Sequence, residues 1–324
     1  MKGEANIRQT PCFAHRGAGA SIALSLFLSL GTILAGCSIP SSGLTTPTNR
    51  YALLIGVQDY PGTNNDLYYP DDDANAMNTL LSAQGWTVRS VLLNGSATHD
   101  NIRLEINALS TDSNATILVY YSGHGSDYTG TPSIIPYDGL TISDNFDTTN
   151  WITPATLTNW IAAVPAKHRL LILDSCFSGG FTLGNGSIDT AQADYSQYNY
   201  QTWDKTLLLG ALSKFGAMVA DNLSTYGDQE VLALSASGSE EVSWEDGAVQ
   251  QGVFTNYLLE AAESGDVDGD GYVTVNEAYA YTKQQIRKNW NIDYAYSFYP
   301  DEWDFLPHIS GGTGDLVLYD NPGP

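Results

Sequence analysis

Residues 115–125 read ATILVYYSGHG, and residues 169–180 read RLLILDSCFSGG. In each, a run of apolar residues stops abruptly at a cluster of glycines and reactive side chains. Runs with almost no charge and no polar alternation suit strands buried on both faces of a mostly parallel sheet. Four further runs read the same way: 51–57 (YALLIGV), 86–93 (WTVRSVLL), 230–235 (EVLALS) and 315–319 (DLVLY). Helical patterns fill the gaps. Asp73 stands where it would cap a helix carrying Ala74, Met77, Leu80 and Leu81 on one face. Thr98 precedes a helix with Ile102, Ile106 and Leu109, and Thr153-Pro154 opens a third. Residues 254–263 and 275–290 read as the last helices. This alternation predicts an α/β fold, a sheet of about six mostly parallel strands with helices on both faces. Right-handed crossovers would gather the connecting loops, and the site, at the carboxyl ends of the strands. The stretch 183–204 is rich in Asn, Gln, Tyr, Ser and Asp without apolar period, and predicts a long surface loop.

Composition narrows the function classes. Of 324 residues, 43% are apolar and 15% charged, which excludes a disordered chain and allows a sizeable core. The 36 acidic against 13 basic side chains give a formal charge of −23. Such a surface repels phosphate backbones, so nucleic acid is excluded as a partner. It attracts cations, whether metal ions or peptides bearing Lys and Arg.

The first 36 residues read as an address. A basic leader with Lys2, Arg8 and Arg16 precedes an apolar run, 20–35, too short for the ~20 residues of a membrane span. The run ends in Leu34-Ala35-Gly36-Cys37, which looks like a bacterial lipobox. That resemblance implies cleavage before Cys37 and a lipid on its thiol. The chain would then sit in the cell envelope, lipid-anchored at the periplasmic face, with Ser38 favouring the outer membrane. Residues 37–49, rich in Pro, Ser and Thr, read as a tether, and 50–324 as the functional domain. Cys12 leaves with the leader and Cys37 carries lipid, so Cys176 is the one thiol remaining.

That thiol ends one strand run while His124 ends another. Adjacent parallel strands bring such ends together. A thiolate is a strong nucleophile, and a neighbouring imidazole can take its proton. Flanking glycines let backbone N–H groups approach a substrate carbonyl, with Gly123 and the Cys176 amide as candidate oxyanion donors.

YALLIGV (51–57), YSGHG (121–125) and DSCFSGG (174–180) together resemble the caspase/metacaspase cysteine peptidases in their bacterial branch. The resemblance covers residues 50–319, and Cys176 lies 52 positions after His124. It implies a caspase-hemoglobinase fold and a His–Cys dyad, with His124 as general acid/base and Cys176 as nucleophile forming an acyl-enzyme. It also implies a substrate pocket built from Asp73, Ser122 and Asp174, which would hold Arg or Lys and direct cleavage after it. Ser235-Ala236-Ser237 would line the groove. A catalytically inactive, calcium-stabilised binding module of the envelope is the alternative. No G-x-S-x-G elbow points to a serine hydrolase.

One acidic motif stands apart. Residues 266–277, DVDGDGYVTVNE, match the EF-hand calcium loop at every defined position. Asp266, Asp268 and Asp270 supply carboxylates, Gly271 the turn, Tyr272 a carbonyl, Thr274 the water-bridging position and Glu277 a bidentate ligand. Ca²⁺ is the expected cofactor there, as a clip between two helices or as a switch. The acidic run that follows the catalytic His in calcium-activated metacaspases is missing, with only Pro136-x-Asp138 kept of its pattern.

Overall fold

The computed structural model describes residues 49–62, 65–126, 129–141, 146–175, 211–224, 230–237, 243–295, 305–312 and 315–321. The expected leader, Cys37, all of the tether but Asn49, the loop 183–204 and Cys176 lie outside them. Among the described residues no helix is long and apolar enough to cross a membrane.

The strands in chain order are β1 (Arg50–Gly56), β2 (Thr87–Leu93), β3 (Thr116–Ser122), β4 (Gly125–Ser126), β5 (Ser133–Ile134), β6 (His168–Asp174), β7 (Glu230–Ser235), β8 (Glu245–Asp246), β9 (Gln251–Gly252), β10 (Tyr272–Thr274), β11 (His308–Gly311) and β12 (Val317–Asp320). The helices are α1 (Pro70–Ala83), α2 (His99–Asn107), α3 (Pro154–Ala162), α4 (Ala211–Ser224), α5 (Val253–Ser264) and α6 (Val275–Gln285), which continues as a π-helix over Ile286–Ala295. Six strands form the central sheet in the order β11-β7-β6-β3-β1-β2. All neighbours are parallel except the edge strand β11, which runs antiparallel to β7.

Strand periodicity divides the core between two faces. On β3, Ile117, Val119 and Tyr121 pack with Ile102 and Ile106 of α2, Leu157 of α3 and Phe215 of α4. Leu118 and Tyr120 point the other way, to Ala74, Met77 and Leu81 of α1, Phe254 and Leu258 of α5 and Ala278 of α6. A strand clothed by helices on both sides has no polar face, which is why these runs read as unbroken apolar segments.

The expected caps at Thr98 and Thr153 are present, each hydroxyl accepting an amide of its helix's first turn. Three readings are corrected. Helix α1 begins at Pro70, with proline in the first turn, so Asp73 lies inside the helix and does not cap it. The run 315–319 contributes to β12, which pairs with β10 outside the central sheet. The sixth central strand is β11, HISG, too short, polar and half-exposed for an apolar run to mark it. Helix α4 also went unread, its apolar pattern broken by Gly216, Asp221 and Asn222.

Close packing sets where α1 sits. A Cβ on Gly56 would collide with the Pro70 carbonyl oxygen, so the helix start lies directly over the end of β1. Below the sheet's other face, Arg169 is buried at 3% exposure. Its guanidinium donates to the carbonyls of Ile161 (3.3 Å), Ala166 (3.0 Å) and Val164 (2.7 Å), closing the carboxyl end of α3. Replacing Arg169 with Met keeps the apolar stem and removes the guanidinium donors from the Val164 and Ala166 carbonyls, while Ile161 keeps the Val164 amide at 3.1 Å. Urea denaturation of the Arg169→Met variant is expected to show a loss of about 2–4 kcal/mol, since charged hydrogen bonds are involved.

Candidate active site

The register of the parallel strands assembles the site. Ser122 pairs with Gly56 across β1 and β3, and with Asp174 across β3 and β6. Helix α1, seated over the end of β1, brings Asp73 to the same place. The Ser122 hydroxyl donates to Asp73 Oδ2 at 3.0 Å, and the Gly252 amide donates to Asp73 Oδ1 at 2.9 Å. Asp174 accepts from the Thr255 amide (3.1 Å) and hydroxyl (2.7 Å) on Oδ2, and from the Ser243 hydroxyl (3.0 Å) on Oδ1. The structure therefore brings together all three residues of the expected substrate pocket, each under 3% exposed.

The electrostatics of this pocket are unusual. A Cβ on Gly252 would meet Asp174 Oδ2 and lie 3.0 Å from Asp73 Oδ2, so both carboxylates pack directly against the Gly252 main chain, where no side chain fits. No ion pair with Lys, Arg or His reaches either carboxylate among the described residues. Burial and then the neighbouring Asp174 push the Asp73 carboxyl well above the usual range. Burial also raises Asp174, but its three donors oppose the shift. Of the two, Asp73 is pushed up further, and Asp174, with its three donors, is the better placed to carry charge. The first turn of α5 supports that charge with its open amides. Because Thr255 Oγ1 donates to Asp174, the Tyr120 hydroxyl, 2.6 Å away, donates to Thr255 in turn.

His124 lies just beyond the end of β3, on the opposite face. It is 1% exposed. Its Nε2 is 2.7 Å from the Asn65 carbonyl, which can only accept, so Nε2 carries the proton and Nδ1 the lone pair. Burial pushes the imidazole down to about 4, leaving it a neutral base at pH 7. Its amide donates to the Tyr60 hydroxyl (2.9 Å), and its carbonyl accepts from the Tyr121 hydroxyl (2.6 Å) and the Ile135 amide (2.9 Å).

Gly123 does not serve as expected. Its amide donates to the Asp174 carbonyl at 3.2 Å and is unavailable to a substrate oxygen. Its glycine is required for another reason. The residue has φ 155°, and a Cβ would lie 2.7 Å from the Tyr121 hydroxyl and 3.0 Å from that of Tyr60. Ser235 and Ser237, expected in the groove, are both buried. Asp138 accepts the His99 amide at 2.8 Å and so serves the start of α2. Sequence reading missed Asn65, Ser243, Gly252 and Thr255. Only Gly252, directly before a helical run, carried a signal, that of a glycine N-cap.

The acidic loop forms a separate centre. Asp266, Asp268 and Asp270 each bring an oxygen within 4.8 Å of the others, a donor set that suits a hard cation. The turn is closed by amides of Gly269 and Gly271 on Asp266, with Gly271 at φ 88°. Glu277 lies alongside, one oxygen on the Val267 amide and the other in a capping box with Thr274. Tyr272 to Thr274 form β10, whose partner is β12.

The carboxyl pair makes a prediction about stability. A folded-state pKa raised above the unfolded 3.8 contributes stability below pH 3.8 that is lost as pH climbs through the folded value. Asp73→Asn removes that loss. Its melting temperature relative to wild type is expected to be higher at pH 8 than at pH 4; an equal difference at both would contradict the assignment.

The family model described as Caspase domain matches residues 49–293. Among solved structures, protein GSU0716 from Geobacter sulfurreducens shares the fold at 15% identity and a TM-score of 0.50, covering 82% of this chain and 93% of that one. Caspase-1 from Spodoptera frugiperda is 12% identical with a TM-score of 0.48, over 85% of this chain and 91% of that one. The Drosophila initiator caspase Dronc is 12% identical with a TM-score of 0.47, over 86% of each chain. No curated protein matches the sequence. With its central six-stranded sheet and a family match over most of its length, the chain belongs to the caspase-domain family of cysteine-peptidase folds.

Proposed function

We propose that this protein is an active cysteine endopeptidase that cleaves after Arg or Lys, anchored in the cell envelope by a lipid on Cys37. The observation that carries the specificity is the buried Asp73–Asp174 pair, whose oxygens converge beside Gly252 with no ion pair to a basic side chain among the described residues. A guanidinium or ammonium entering there neutralises the one negative charge the pair carries and donates hydrogen bonds to its oxygens, which offsets its own desolvation.

In the reaction, His124 Nδ1 takes the proton of the Cys176 thiol. The thiolate attacks the scissile carbonyl carbon, and the Cys176 amide is the expected donor to the resulting oxyanion. The carbon–nitrogen bond breaks as His124 returns the proton to the leaving amine, giving a thioester. Water, deprotonated by the same imidazole, then cleaves the thioester and restores the thiol. A histidine that stays neutral down to about pH 4 is available for both deprotonations.

Calcium is assigned to the loop 266–277, held by Asp266, Asp268, Asp270, the Tyr272 carbonyl and Glu277, with Thr274 bridging through water. A lone EF-hand loop lacks a second loop to pair with, and β12 takes that place beside β10. A structural clip between α5 and α6 fits this arrangement.

A peptide-library assay tests the reading. Cleavage after Arg or Lys is expected, with Cys176→Ala and His124→Ala inactive. Asp174→Asn is expected to lower kcat/KM for basic peptides by about 10²-fold or more, through loss of a buried ion pair. Preference for Asp at the cleaved position would overturn the pocket assignment, and an inert Cys176 would favour the binding-module alternative. For the loop, Asp266→Ala is expected to abolish calcium binding by calorimetry and the rise in melting temperature that calcium produces in wild type.

A further inference from the structure

The segment between β1 and α1 carries no motif, yet it encloses the imidazole. Two of its residues touch His124. Asn65 supplies the carbonyl on Nε2. Tyr60 supplies a ring whose centroid is 4.7 Å from that of His124, tilted by 32°, and a hydroxyl that accepts the His124 amide at 2.9 Å. That hydroxyl in turn donates to the Ile135 carbonyl at 3.0 Å. Tyr60 is itself held, its amide on Asp66 Oδ1 at 3.1 Å, while the Leu67 amide reaches back to the Gln58 carbonyl at 2.9 Å. It is 1% exposed. Ring and hydroxyl thus act on one histidine from two directions.

We propose that Tyr60 is a positioning residue for His124. Its ring sets the imidazole plane and keeps water from it, and its hydroxyl fixes the main chain from which the base projects. The inference rests on the peptidase reading above. A hydrogen bond at Nε2 fixes the direction of the imidazole but not the tilt of its plane about the Nε2–oxygen axis. An offset aromatic contact removes that freedom, and aromatic pairs of this geometry are attractive beyond their buried area. Misplacement of a base by about 1 Å costs on the order of 10²-fold in rate. Among the described residues the titratable groups in contact with His124 are the hydroxyls of Tyr60 and Tyr121, both raised by burial and neutral across the working range.

The test compares Tyr60→Phe and Tyr60→Leu with wild type on an Arg-containing peptide, with circular dichroism and melting curves to establish folding. Tyr60→Leu is expected to lower kcat by about 10- to 100-fold while KM changes less than about twofold. The acid limb of its rate profile is expected to move up from about pH 4 towards the ordinary histidine value of 6.5, as water reaches the ring. Tyr60→Phe, which keeps the ring, should retain the wild-type limb and lose less rate. A folded Tyr60→Leu with unchanged kcat and limb would overturn the proposal, as would an effect on KM alone. Titration of His124 by NMR needs no substrate. If no variant and no wild type cleaves, the peptidase reading fails, and an unshifted His124 titration in Tyr60→Leu would separately sink the positioning role.

Discussion

The costliest element of this fold is a pair of buried carboxylates. Asp73 and Asp174 are held out of water side by side, an arrangement that costs several kcal/mol unless their oxygens find donors and one proton is kept. The donors come from distant parts of the chain: Ser122 at the end of β3, Ser243 ahead of β8, Gly252 and Thr255 at the start of α5. Each must arrive in register, so the pair constrains the strand order, the seating of α1 over Gly56 and the origin of α5 together. Even so, two carboxylates share room for one full charge, and the surplus is what a basic side chain would answer.

Helix α5 joins the two acidic centres. Its first turn fixes the carboxylate pair, and its last leads through Gly265 into the loop that starts at Asp266. A Cβ on Gly265 would clash with Val273 of β10 at 2.9 Å, so helix, turn and strand are packed without slack. The same side of the molecule is closed by Arg50, which pairs with Asp320 at 2.9 Å and lies over Trp86, whose indole donates to the Leu318 carbonyl. The first strand and the last are thereby joined by one cation.

Legibility followed the physics of burial. β1, β3 and β6 sit between helical layers, so their sequences are unbroken apolar runs, and their ends were readable as the place for chemistry. Caps at Thr98 and Thr153 were readable because the signal is local. β11 was not, since an edge strand of four residues with a half-exposed face has neither length nor period. Asp73 was readable as a pocket residue only through resemblance, whereas its helix starts three residues earlier, at a proline. Gly123 was misassigned because glycine freedom suggests an open amide, while the fold uses that freedom to admit two tyrosine hydroxyls. Thr255, Ser243 and Asn65 act through contacts 59 to 81 residues away in sequence, which no local pattern encodes.

Tyr120 and Tyr121 are neighbours on one strand and serve opposite sides of the sheet. The first reaches the carboxylate pair through Thr255, the second holds the His124 carbonyl. The two hydroxyls thereby tie the carboxylate pair and the His124 main chain to opposite faces of one strand. A slip of β3 by one residue would exchange the two hydroxyls between the faces and undo both contacts at once.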